Sequence, residues 1–294
     1  MSTIVGFQNL DSYNKSLSAA FAVGLPLANV PYQGFTMETR STAASTSYAG
    51  LFEIPVVREW TGDRQAKELE GHHFEITNRT WESTLRLERK DVEDDEEAAI
   101  SLLAGKVTAM AREANNDQPG RLAFQLLRNG KSGKSYDGKS FFATDHASGA
   151  NLVTGGSAPW YLVCTRAPVK PIIMQWRVRP ELRTPRMDDE SVFWKDQVHY
   201  GTRARYNAGY GLHQAALRHE GDLTENTFQA ALELMGNQTI DGVRYLGFEP
   251  DLLIVPWSLR TKAAKLLAAT INASGESNVN ANAMRYIVTP YVKE

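Results

Sequence analysis

Residues 133–140, Gly133-Lys134-Ser135-Tyr136-Asp137-Gly138-Lys139-Ser140, satisfy the spelling of a phosphate-binding loop: a glycine, four residues, then Gly-Lys-Ser. Such a loop holds phosphates with backbone amides and a lysine, and magnesium with its hydroxyl. That chemistry needs a buried strand before the loop and a helix directly after it. Here Leu122 to Leu127 reads as a helix, and Phe141-Phe142-Ala143-Thr144-Asp145-His146 is not a helix start. The strand candidate Leu252 to Val255 ends in Pro256 rather than in a magnesium-binding aspartate. The match is one of spelling; a nucleotide enzyme using Lys139 and Ser140 is kept as an alternative.

The other reactive residue types give less. His72 and His73 are adjacent, so on a strand they point to opposite faces and cannot chelate one ion together. Asp145-His146 could begin a catalytic or metal pair, but a turn is the expected setting. His199 and His213 fall in β-rich sequence, where partnered or exposed histidines are expected. No His-Glu-x-x-His, Cys-x-x-Cys or Gly-x-Ser-x-Gly occurs. Cys164 lies in an apolar run and reads as a small core residue. Glu93-Asp94-Asp95-Glu96-Glu97 could hold a metal, but carboxylates before a helix also match its free first-turn amides and positive dipole end. Catalytic, cofactor-binding and metal residues are therefore all expected to be none.

Composition narrows the classes. The 294 residues suit one large domain or two medium ones. With 42% apolar and 22% charged residues, wholesale disorder is excluded. The 32 basic and 34 acidic residues nearly cancel, so no global field draws the chain to nucleic acid. A single cysteine forbids an internal disulfide and suits a reducing cytoplasm. No apolar run approaches bilayer length and no secretion signal is visible, so a soluble intracellular protein is expected.

The elements that must position these residues can be read in order. Residues 1–48 are polar and then rich in Ser, Thr, Ala and Gly; they bury little alone and read as a frayed terminus or an arm ordered by a neighbouring subunit. Phe74 and Ile76 are at even positions, whereas Trp81, Leu85 and Leu87 are at odd ones, so a bulge or bend is predicted around Asn78-Arg79-Thr80. The charged span between Trp60 and Phe74 reads as the tip of a two-stranded ribbon. Ala99, Leu103, Val107, Met110 and Ala114 have helical spacing, with a stop predicted before Pro119-Gly120 and a second helix ending near Asn129-Gly130. Trp160 to Val163, Ile172 to Trp176 and Gln197 to Tyr210 have strand composition. Residues 166–218 carry ten Lys/Arg against five Asp/Glu. Asp222 with Glu225 is predicted to cap a helix bearing Phe228, Ala231, Leu232 and Met235. Leu252 to Val255 reads as a buried strand, Ser258 as the cap of a further helix, 272–283 as a loop and Tyr286 to Val288 as a last strand.

The order of several segments resembles the Mu-like phage major head subunits, the gene product T family. They are Arg58-Glu59-Trp60-Thr61-Gly62-Asp63-Arg64, Phe74 to Glu82, Arg89 to Asp95, and Leu126-Leu127-Arg128-Asn129-Gly130. Tyr136-Asp137-Gly138 with Phe141-Phe142 and Asp145-His146 is the best single signature. Trp160-Tyr161-Leu162, Lys170-Pro171, Val192-Phe193, Tyr200 to Arg205, Asn207 to Gly211 and Leu252 to Pro256 continue it.

The resemblance implies an α+β fold of the Hong Kong 97 capsid type. Residues 1–48 would be an N-terminal arm, 49–92 an extended β-hairpin loop and 93–135 the spine helix with the start of the peripheral domain. Residues 136–294 would interleave the long peripheral strands with the axial domain, and Gly133 to Ser140 would belong to a turn on Tyr136-Asp137-Gly138. The segment order also implies a rearranged C-terminal half, with Tyr286 to Val292 close to the start of the Trp160 strand. The implied function is a major capsid protein that closes an icosahedral shell around double-stranded DNA, through pentamers and hexamers. Scaffold, portal, a decoration protein and non-specifically held DNA are the implied partners; no cofactor, membrane or covalent crosslink is expected. Assembly would take place in the bacterial cytoplasm and the product would be the virion capsid. Arg64, Lys67, Glu68 and Glu70 would be candidates for intersubunit ion pairs. An encapsulin-like compartment is the alternative of the same fold.

Overall fold

In a computed structural model, residues 8–48, 51, 74–88, 98–156, 158–186, 194–195, 197–240, 242–271 and 275–293 are described. The order is α1 (Gln8–Gly24), β1 (Thr36–Arg40), β2 (Ser45–Ser47), β3 (Glu75–Thr77), β4 (Arg79–Glu88), α2 (Ala98–Arg112), a π-helical turn (Glu113–Asp117) and α3 (Gln118–Arg128). Then follow β5 (Leu152–Val153), β6 (Trp160–Val163), β7 (Ile172–Arg183), β8 (Gln197–Tyr210), β9 (Ala216–His219), α4 (Glu225–Gly236), β10 (Leu252–Val255), α5 (Arg260–Leu267) and β11 (Arg285–Val288). One sheet has the order β1-β7-β8-β4, a second β11-β10-β6-β9-β5, and β2 pairs with β3 alone. This is an α+β chain.

The second sheet is buried on both sides because its central strands are apolar without interruption. Trp160, Leu162, Leu253 and Val255 face Phe228, Ala231 and Met235 of α4 and Ala263 and Leu267 of α5. Tyr161, Val163, Leu252 and Ile254 face Ala123, Phe124 and Leu127 of α3. Alternate residues of each strand thus enter different cores, as the period of two requires. β10 lies between β6 and β11, with Ile254 opposite both Tyr161 and Ile287. The last strand and the Trp160 strand lie in one sheet, with β10 between them.

The parity change at Asn78 has a polar cause. Asn78 separates β3 from β4 and turns inward, its amide donating to Ser41 Oγ (2.9 Å) and the Ala43 carbonyl (2.9 Å). Its Oδ1 accepts from Gln175 Nε2 (3.0 Å), and the fully buried Gln175 amide accepts from the Tyr48 hydroxyl (2.8 Å). Beyond that point Trp81, Leu85 and Leu87 lie on the half-buried face of β4. In β7, Pro180 falls where the pairing with β8 shifts between Val178 and Glu181; proline has no N–H for the ladder.

Four expectations are corrected. The segment 13–48 finds its partners in its own chain: Leu17 and Phe21 of α1 pack with Leu103, Val107 and Ala111 of α2. Val30, Tyr32 and Phe35 join the core of α3, and β1 pairs in parallel with β7. Nor does the helix stop before Pro119. The π-turn carries it into α3, with Pro119 at the start of α3, where the changed register of the wide turn accommodates a residue without an N–H. The capping signals also differ: Thr224 and Thr227 form the capping box of α4, and Ser258 lies in a 3-10 turn without capping the first residues of α5. The ribbon tip, His72-His73 and Glu93–Glu97 lie outside the described residues.

The π-turn fixes the exit from α1. Asn116 Nδ2 donates to the carbonyls of Leu25 (2.6 Å) and Leu27 (2.7 Å), and Asp117 accepts from the Asn29 amide (2.8 Å) and Arg112 (3.1 Å). Asn116→Ala leaves two carbonyls without this donor, and a loss of about 1–3 kcal/mol in denaturant unfolding is expected. An unchanged midpoint would mean that the π-turn does not hold this segment.

Candidate functional site

The segment between α3 and β5 contains most of the sequence's suggestive residues, and it is a tight turn with a packed interior. Lys134 and Ser140 face each other as an isolated bridge, the Ser135 amide donates to the Lys139 carbonyl (2.7 Å), and the Gly138 amide to the Ser135 carbonyl (3.0 Å). Gly138 has φ of 79°, which favours glycine, and Asp137 Oδ1 accepts the Lys139 amide (3.1 Å). Gly133 is required for another reason: a Cβ there would lie 2.1 Å from the Tyr210 hydroxyl.

None of this is a phosphate cradle. The preceding element is α3, no helix follows Ser140, and Lys139 is paired with Asp145 at 3.0 Å. A surface groove of about 340 Å³ lies between the π-turn and the first sheet, lined by Trp81, Glu82, Glu113, Gln118 and Tyr206. Neither Lys139 nor Ser140 lines it, and its Glu113 is paired with Arg121. The nucleotide alternative therefore fails on topology, and the lysine it needs is already paired.

The structure does bring together residues that are far apart in sequence. His146 Nδ1 bonds the Asp137 carboxylate at 2.6 Å and its other nitrogen faces the Phe141 carbonyl at 3.4 Å. His213 stacks on His146, with centroids 3.8 Å apart and planes within 11°, and on Tyr136 at 5.0 Å. Its Nδ1 shares a hydrogen bond with Ser135 (3.0 Å) and its Nε2 with Ser148 (2.9 Å).

Candidate ligand atoms of Asp137, His146 and His213 lie within 4.8 Å of one another. An imidazole lone pair lies in the ring plane, however, so two parallel stacked rings cannot both aim at one ion, and every ring nitrogen already faces a partner. Nor is this a catalytic triad, since the aspartate bonds His146 while the serines bond His213. The arrangement is a packed, hydrogen-bonded stack that ties a loop to the turn after β8.

The remaining candidates are also structural. Cys164 is buried, and burial pushes its thiol above the ordinary range, so the nucleophilic thiolate is disfavoured. His199 is half-buried on β8 opposite Arg86. Sequence reasoning missed Arg218, which is fully buried on β9. It binds Glu220 (2.9 Å) and donates to the Arg128 carbonyl at the end of α3 (2.7 Å). Its only signal was an arginine inside an apolar run.

The match that decides the family runs nearly end to end: the model of the Mu-like prophage major head subunit gpT covers residues 10–292. The chain belongs to that family. The major capsid protein of Escherichia phage Mu is 35% identical over 278 residues, covering 88% of this chain and 89% of the relative. A subunit of the bacteriophage JBD30 procapsid superposes with a TM-score of 0.84 at 32% identity, over 98% of this chain and 100% of that one. The JBD30 capsid decorated with minor capsid protein trimers matches at 27% identity and TM-score 0.72, over 90% and 92%.

The α+β fold of this family is thus the Hong Kong 97 type that the motifs implied. The family is structural and not enzymatic, and the chain is a component of the virion capsid. A phage head subunit, rather than an encapsulin-like compartment, is the supported reading. No helix among the described residues is long and apolar enough to cross a membrane.

If Gly133–Ser140 is a structural turn, Gly133→Ala, whose methyl collides with Tyr210, should lower the melting temperature strongly. Lys139→Ala, which removes an exposed ion pair and a hydrogen bond to the Asp145 carbonyl, together worth about 1 kcal/mol, should move it far less. Nucleotide-dependent stabilisation of the parent, lost in Lys139→Ala, would contradict this.

Proposed function

We propose that the chain assembles through pentamers and hexamers into the icosahedral shell of a Mu-like phage head and encloses double-stranded DNA. The observation that carries this reading is the family match over residues 10–292 together with the near-complete superposition on a procapsid subunit. In this reading α2 and α3 form the spine, and 49–92 the extended loop that reaches a neighbouring subunit. Residues 1–48 serve as an arm whose described part, 8–48, lies against its own spine and first sheet. Residues 136–294 interleave the peripheral strands with the axial domain.

Each subunit meets several neighbours, so interfaces that are weak singly add up to a closed container. The net charge of −2 suits a wall that contains DNA without gripping it, with contacts to phosphate and not to bases. A scaffold and a portal are the further partners. A decoration protein is proposed by likeness to the JBD30 capsid, which carries minor capsid protein trimers. Assembly takes place in the bacterial cytoplasm, and no catalytic, cofactor or metal residue takes part.

Negative-stain microscopy of the full chain expressed in bacteria tests this. Uniform icosahedral or tubular particles are expected. A persistent monomer at high protein concentration, with catalytic turnover, would overturn the reading.

A further inference from the structure

The chain passes from the first sheet to the second through the turn His213–Ala215, and His213 is buried there. Tyr136 covers one face of its ring and His146 the other, while Ser135 and Ser148 take its two nitrogens. All four residues come from the single stretch 135–148. We propose that this stack is an acid-sensitive latch: neutral His213 fastens the 135–148 segment to the crossing between the sheets, and a protonated ring releases it.

The geometry supplies the reason. A serine hydroxyl can donate or accept, so the neutral ring is fully bonded in either tautomer. A second proton places a charge where water does not reach, against a second imidazole stacked at 3.8 Å. The titratable groups facing the ring are His146, Tyr136 and Asp137, and the Asp137 carboxylate is already held by His146. Lys139 and Asp145 neutralise each other beyond them. The turn's own element and the residue before β5 contribute the neutral amides Gln214 and Asn151.

Burial, followed by His146, pushes His213 from its ordinary value of 6.5 down to about 3, with Asp137 opposing. The folded-state value is depressed, so the unfolded chain binds the proton first. The latch is at full strength above pH 6.5 and weakens as pH falls toward 3, by about tenfold per pH unit for one proton. At Asp137 burial is outweighed by the His146 hydrogen bond and the two rings, which hold the carboxylate below its usual range. Its own effect begins only below about pH 4. The interval from pH 6.5 to 4.5 therefore separates the latch from Asp137; burial also lowers His219 at the end of β9, so the part of the fall that His213→Gln removes is the latch's own.

Hydrogen exchange of the full chain, corrected for intrinsic rates, at pH 7.5, 6.0 and 5.0 is the test. Protection of 133–151 and 211–219 should fall about tenfold between pH 6 and 5 relative to β10. In His213→Gln it should be nearly flat, whereas His199→Gln should keep the wild-type fall. Should His213→Gln fail to fold, Ser148→Ala provides the second arm: lower protection at every pH with the same slope. A wild-type protection that does not change over this interval, or a His213→Gln fall as steep as the wild type, would overturn the latch.

Discussion

One strand, β8, leads from the first sheet into the second, and the rest of the structure depends on how its exit is held. It pairs along its length with β7 and β4, then turns at His213 and continues as β9 in the other sheet. Backbone groups at such a corner lose their ladder partners, and buried ones must be satisfied by side chains. Asn151 does this. Its oxygen accepts the Ala143 amide (2.9 Å), and its nitrogen donates to the carbonyls of Phe141 (2.9 Å), His213 (3.0 Å) and Ala216 (3.3 Å). Phe141, stacked on Tyr210, and Phe142, tilted against Tyr161, fill the space beneath. The histidine stack, Arg218 and Asn151 are therefore parts of one joint.

A closed joint suits a shell subunit. The cores on both faces of the second sheet are completed within one chain, which leaves outward faces for neighbours. Leu102 on α2 is 65% exposed, and Val279, in the loop before β11, is 80% exposed. Exposed aliphatic residues on a capsid protein are candidates for contact surfaces, although single ones are ordinary on any protein. The single cysteine is buried and unpaired, so it offers no thiol at those outward faces.

What was legible in the sequence is what period and composition encode. The uninterrupted Leu252–Val255 run, the change of face at Asn78 and the helical spacing of Leu103, Val107 and Met110 each reappear where expected. Boundaries that depend on tertiary contacts did not. Pro119 signalled a stop because nothing local announces a π-turn whose Asn116 and Asp117 are held by the backbone after α1. Residues 1–48 read as too polar to order themselves, yet in the described segment 13–48, Leu17, Phe21 and Phe35 are enough once α2 and α3 offer apolar surfaces. The joint was invisible for the same reason. Asp137, His146 and His213 meet only through the fold, and no spacing rule links them.

The subunit packs the described N-terminal segment 13–48 against its own core, which leaves assembly to add contacts on its outside. Hydrogen exchange compared between assembled shells and dissociated subunits, at one pH, tests it most directly. The amides of β1 and of β6–β10 are expected to stay equally slow in both states, with new protection confined to outward faces. Fast exchange of β1 and α1 in dissociated subunits, slowed only in shells, would contradict it.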